Sequence, residues 1–148
     1  MHADIAAAMG FDDLYSGSEA FRERFDEMLD AVKALPEALQ ERGRSLWYPQ
    51  LHNACVVGDV ELVTALLATG LDPDAYTYTD DDEDQPPLVW LARDGELDFE
   101  VKRQIAEALL AAGASVEEGE PEQEARAADD DDFADYLGSK GQLEKPAR

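Results

Sequence analysis

The stretch LHNACVVGDVELVTALLATGL, residues 51–71, decides the fold. It opens with Leu51-His52, places small residues at Ala54 and Cys55, turns at Gly58-Asp59, and resumes an apolar stripe at Val60, Val63, Leu66 and Leu67 before stopping at Gly70. Apolar residues three and four apart mark helix, and the two glycines mark its interruptions. Two short helices folded against each other are therefore expected. Small residues let the first helix approach a neighbour closely, Gly58 frees the backbone at the turn, and Gly70 is placed as a helix C-cap.

The opening Leu51-His52-x-Ala54-Cys55-x-x-Gly58 and the closing Leu66-Leu67-x-x-Gly70 resemble the helix pair of an ankyrin repeat. The resemblance implies an all-α fold, a helix-turn-helix repeat stack. A single unit of this kind cannot bury its apolar face alone, so it demands units on either side. It also implies that His52, at the family's histidine position, makes a hydrogen bond tying neighbouring turns together. The family's T-P-L-H appears here as Pro49-Gln50-Leu51-His52, one residue longer between Pro and Leu.

A second ankyrin-like unit begins at Pro87-Leu88. Leu88, Leu91 and Ala92 take the inner-helix core positions, Gly95 matches Gly58, and Ala108-Leu109-Leu110-Ala111-Ala112-Gly113-Ala114 repeats the closing pattern. Leu88 to Gly113 spans 25 positions where Leu51 to Gly70 spans 19, so six residues, about LDFEVK, extend the turn or the outer helix. Trp90 reads as core. Counting back from Gly141 gives a degenerate third unit over 122–141, with Ala125 at a small-residue position and Phe133, Ala134, Tyr136 and Leu137 on an outer stripe. Asp129 to Asp132 then fall at the turn and the helix N-terminus, where the dipole favours carboxylates.

Before the repeats, residues 1–17 carry a short apolar patch, Ile5 to Met9 with Phe11, Leu14 and Tyr15, that suggests a short helix. Ser18 is a plausible N-cap for a stronger one, whose Phe21, Phe25, Met28, Leu29 and Val32 share a face. That face reads as the cover of the first repeat rather than as a partner groove, because terminal repeats need capping. The expected division is an N-terminal helical cap over 1–45, repeats over 46–141 (46–79, 80–116 and a degenerate 117–141), and a frayed tail over 142–148.

Between the first two units the chain runs LDPDAYTYTDDDEDQP. In the family this position is the finger, a hairpin-like loop that projects from the stack and often contacts partners. Gly70 to Leu88 is 18 positions, against roughly 14 for an ordinary repeat, so the finger is extended. Its added length is acidic: Asp80, Asp81, Asp82, Glu83 and Asp84. Tyr76 and Tyr78, two apart, point the same way on an extended segment. Aromatics beside carboxylates on a scaffolded loop make a candidate interface. The run lacks the D-x-D-x-D-G spacing and distal Glu of an EF-hand, and no His cluster accompanies it, so no metal is expected.

The resemblance further implies that the two residues before the inner-helix glycine face solvent: Val56 and Val57, then Arg93 and Asp94. Two valines there are either covered by the N-terminal helices or form the apolar centre of a contact rimmed by Tyr76, Tyr78 and Asp80 to Asp84. Cys55, at a small-residue position, reads as a packed small hydrophobe rather than a nucleophile. A single cysteine excludes an internal disulfide.

The chain has 148 residues, and its 35 acidic against 12 basic residues give a formal charge of −23. Such an excess repels nucleic acid and anionic membranes, and it favours a basic protein partner. No basic, apolar leader opens the chain and no stretch approaches the roughly 18 apolar residues of a membrane span, so a cytoplasmic protein is expected. No phosphate-binding glycine loop, Ser-His-Asp or Cys-His set, or zinc spacing occurs. The expected function is a non-catalytic protein-interaction module without cofactor, in one form an inhibitor or immunity-type binder of a basic enzyme. Two alternatives stand beside it: an acidic nucleic-acid mimic, and a salt-adapted scaffold whose charge serves no partner. The sequence carries no signature of a particular oligomeric state.

Overall fold

The computed structural model describes residues 19–79 and 81–144. The short helix expected within 1–17, the Ser18 cap, Asp80 and the end of the tail lie outside them. The described residues form eight helices and no strand: α1 (Glu19–Lys33), α2 (Glu37–Arg44), α3 (Gln50–Val56), α4 (Val60–Ala68), α5 (Pro87–Arg93), α6 (Phe99–Ala111), α7 (Pro121–Ala127) and α8 (Asp131–Glu144). None of them is long and apolar enough to cross a membrane.

Consecutive helices pair as α1/α2, α3/α4, α5/α6 and α7/α8, and the pairs join in two rows. One row runs α1 on α3, α3 on α5, α5 on α7; the other runs α2 on α4, α4 on α6, α6 on α8. The N-terminal pair thus continues both rows. Its α1 buries Phe21, Met28, Ala31 and Val32, with Phe25 and Leu29 half-buried along the same stripe. Arg24 shares that stripe too, and its guanidinium is almost buried, 3.3 Å from Glu27. Pro36 caps α2, where its missing N–H costs no helical bond.

The short turns are made by side chains acting on backbone. Asp59 caps α4 by accepting the Leu62 N–H at 3.2 Å. Arg42 of α2 grips the same carboxylate, donating from Nε at 3.0 Å and from Nη2 at 2.5 Å. That guanidinium, and secondarily the Leu62 amide, hold Asp59 below the usual carboxylate range against the opposing effect of its burial. Gly58 has φ +80, and a methyl group there would lie 2.8 Å from Leu97 Cδ2. Glycine is needed at this turn both for its left-handed backbone and for the neighbour packed onto it.

The six added residues of the third pair divide between helix and turn. Helix α6 has 13 residues where α4 has nine, and the turn 94–98 has two more residues than 57–59. Asp94 organises that longer turn, its Oδ2 accepting from the Glu96 and Leu97 amides at 3.0 and 2.8 Å. Leu97 folds down over Gly58, so the insert serves as the joint between successive turns.

In the last pair Ala125, Phe133, Ala134 and Leu137 are buried. Asp130 precedes α8 and accepts the Phe133 N–H at 3.2 Å. Its other oxygen takes Lys102 Nζ at 2.6 Å, and the same ammonium donates to the Asp94 carbonyl at 2.8 Å while lying 4.7 Å from the centre of the Phe133 ring. Lys102 is wholly buried. A buried cation persists where partners replace its water, and here a carboxylate, a carbonyl and a ring do so. One apolar core then runs from Met28 through Leu51, Leu66, Leu88 and Ile105 to Phe133 and Leu137.

Candidate interaction site

The loop between α4 and α5, residues 71–86, stands on buried Leu71, Ala75, Thr77 and Pro86. Where it leaves and rejoins the helices, one imidazole clamps it. His52 Nε2 lies 3.0 Å from the Ala75 carbonyl and 2.9 Å from the Gln85 carbonyl, so the proton sits on Nε2 and is shared between both ends of the loop. Burial lowers the His52 pKa to about 4, and the two carbonyl bonds only partly offset it. The Trp90 ring meets the imidazole edge-on at 5.1 Å.

Residues from neighbouring elements hold the rest of the loop. Tyr48 donates its hydroxyl to the Thr77 carbonyl at 2.7 Å. Trp90 Nε1 donates to the Glu83 carbonyl at 2.8 Å, and Arg93 Nη1 to the Asp82 carbonyl at 2.9 Å. On the far side Asp74 accepts the Ser115 N–H through both oxygens, at 3.0 and 3.1 Å. The Tyr76 hydroxyl donates to Glu118 in the α6–α7 linker, and that bond, helped by desolvation, raises the phenol to about 12. These bonds tie both arms of the loop to the helices and linkers beside it.

Inside the loop, Asp84 Oδ1 accepts the Thr77 and Tyr78 amides at 2.8 and 2.7 Å. The two arms are therefore joined by a side chain rather than by a strand ladder, and no strand forms where a hairpin-like finger was expected. Tyr78 has φ +57, in the left-handed region. Its ring and that of Tyr76 lie with centroids 6.5 Å apart and planes tilted by 42°.

The candidate residues fall into three groups. Tyr78, Asp81 and Asp82 are exposed on the loop, with Tyr76 half-buried beside them. Asp84, Arg93 and Asp94 are half-buried and act within the protein: Asp84 braces the loop, Asp94 shapes a turn, and Arg93 Nε donates to Glu124 of α7 at 2.9 Å. Val57, 58% exposed, ends α3, and Val56 beside it is half-buried. The valines belong to a helix terminus and the tyrosines to the loop. Asp80 lies outside the described residues. Cys55 is buried, and its thiol is pushed up by desolvation alone.

Trp47, in the α2–α3 linker, is absent from the candidates named from sequence and is 75% exposed. Asn53 Nδ2 donates to its carbonyl at 3.0 Å, fixing the backbone that carries it. Glu118 is likewise absent from those candidates. The only sequence signal for its role was its place one unit further along, and that pairing needs the third dimension. Among the described residues no three His, Cys, Asp or Glu side chains converge in a metal-binding arrangement. The chain matches no protein-family model, no curated protein and no solved structure.

Proposed function

We propose that this chain is a non-catalytic protein-interaction module of ankyrin type, and that the loop 71–86 is the surface that meets a basic protein. The observation that carries the reading is the anchored loop itself. Asp81, Asp82 and Glu83 are exposed on a backbone tied to α3, α5, the α2–α3 linker and the α6–α7 linker. Carboxylates carried on an anchored backbone lose less freedom on meeting a cation than those of a free chain, and a chain of charge −23 draws basic surfaces to it.

The ankyrin assignment is supported by consecutive helix pairs in two rows, by small buried residues where the first helices meet, and by a histidine that ties the loop ends. On this reading residues 1–45 cap the stack and 46–141 are its repeats, in a cytoplasmic protein. An inhibitor or immunity-type role toward a basic enzyme fits the charge.

Affinity capture from the native host tests the proposal, using the parent chain and a D81N/D82N/E83Q variant in parallel. The expected result is a basic protein retained by the parent at low salt, released as salt rises, and bound at least ten-fold more weakly by the variant. Retention that is indifferent to salt and to the triple substitution would refute a charge-directed loop.

A further inference from the structure

We propose that the Tyr76–Tyr78 pair, with Glu118 at its edge, is the seat of an arginine side chain from the basic partner. The inference rests on the module reading above and names the group that the loop receives.

Two neighbouring rings offer faces that attract a cation lying within about 6 Å of a centroid. At 6.5 Å between centroids and a 42° tilt the rings are not stacked face to face, and Tyr78 is 40% exposed. Glu118 reaches the pair from the α6–α7 linker and takes the Tyr76 hydroxyl, which sets a carboxylate at the hydroxyl edge of that ring. A planar guanidinium can lie flat on a ring face while its two-pronged edge bonds a carboxylate, whereas an ammonium meets each partner only as a point charge, so the arrangement favours arginine over lysine. The exposed Asp81, Asp82 and Glu83 exclude anionic ligands and steer cationic ones.

The residue at position 78 points the same way. A left-handed backbone suits glycine or asparagine, and an aromatic side chain is strained there. Core packing does not account for a ring that is 40% exposed, and the turn does not account for an aromatic. An exposed ring set beside Tyr76 on a strained backbone supports a ligand-facing role.

The test titrates acetyl-tetra-arginine amide and acetyl-tetra-lysine amide into the full chain, with the tyrosine ring resonances followed by NMR. The expected result is a saturable upfield shift confined to Tyr76 and Tyr78, with the arginine peptide at least ten-fold tighter. Tyr78→Gly should abolish it while keeping or raising the melting temperature, since glycine relieves the positive φ. Tyr78→Asn is the second variant with the same backbone tolerance, and Glu118→Gln should weaken the arginine peptide at least three-fold with the fold unchanged. Equal response to both peptides, shifts scattered over carboxylates throughout the molecule, or an unaltered response in Tyr78→Gly and Tyr78→Asn would overturn the seat. Capture of a basic partner by Tyr78→Gly as strongly as by the parent would sink the seat and leave the module standing. A saturable arginine response with no partner captured by either chain would sink the module and leave the seat.

Discussion

His52 shows how one residue can decide the shape of a loop at a cost that depends on pH. Its Nε2–H holds two carbonyls 33 and 23 residues away along the chain, while Nδ1 is buried without a partner. The folded pKa, about 4, lies below the ordinary value of 6.5, so the unfolded chain takes up the proton first. The stabilising contribution is therefore complete above pH 6.5 and is lost as pH falls toward 4. We expect wild type to lose about 2 kcal/mol more than His52→Gln between pH 7 and 5, measured by denaturant unfolding. Comparison with the variant is essential, because protonating carboxylates relieves repulsion and acts in the opposite direction. Parallel pH profiles would show that the imidazole does not carry the effect.

Gly58 makes the complementary case, where a missing side chain is what matters. Gly58→Ala forces a left-handed alanine against Leu97, and a loss of about 1–2 kcal/mol is expected in thermal or denaturant unfolding. A neutral result would mean that the turn relaxes at no cost.

At the scale of elements, the loop 71–86 behaves as a built part of the protein. Asp84 is its internal brace, so Asp84→Ala should raise amide exchange at Thr77 and Tyr78 at least ten-fold, at a global cost of about 1–2 kcal/mol. Asp84→Asn, which retains an acceptor oxygen, should restore most of the protection. Unchanged exchange in the alanine variant would mean that the outer anchors suffice. Asp84 differs from its acidic neighbours in joining the two arms, whereas the exposed Asp81 carboxylate accepts from Thr79 and Glu83 beside it and Asp82 is exposed.

Among the described residues the main helix contacts join each pair to the next, and the last pair is fastened by a buried charge. Lys102 of α6 reaches the Asp94 carbonyl in its own turn and Asp130 in the next. Lys102→Ala leaves both acceptors without their cation, and a loss of about 3 kcal/mol is expected. The loss should appear first as enhanced exchange in α7 and α8, because a linear array opens from its ends. Global loss of protection in one step would instead show full cooperativity. The net charge of −23 also repels itself over the entire surface. Raising salt from 50 mM to 1 M should increase the melting temperature, and a falling temperature would point to the ion pairs outweighing that repulsion.

Local pattern determined the helices. The stripes of α1, α4 and α8, the turn at Gly58, the extra length of the second unit near residues 97–102 and the end at Gly70 follow from spacing between neighbours in the chain, while the division of that extra length between turn and helix does not. Charge, too, is a sum over residues and needs no coordinates. Tertiary structure alone decided which polar side chains are shared between units. Arg24 on a buried stripe, Lys102 in the interior, Asp84 joining the two arms of the loop while Asp81 and Asp82 are exposed, and Tyr76 joined to Glu118 across 42 residues are facts of proximity between distant segments. A sequence records periodicity because helices are periodic; it does not record which carboxylate of a run will meet a backbone amide, since that depends on where two other helices hold the loop's ends.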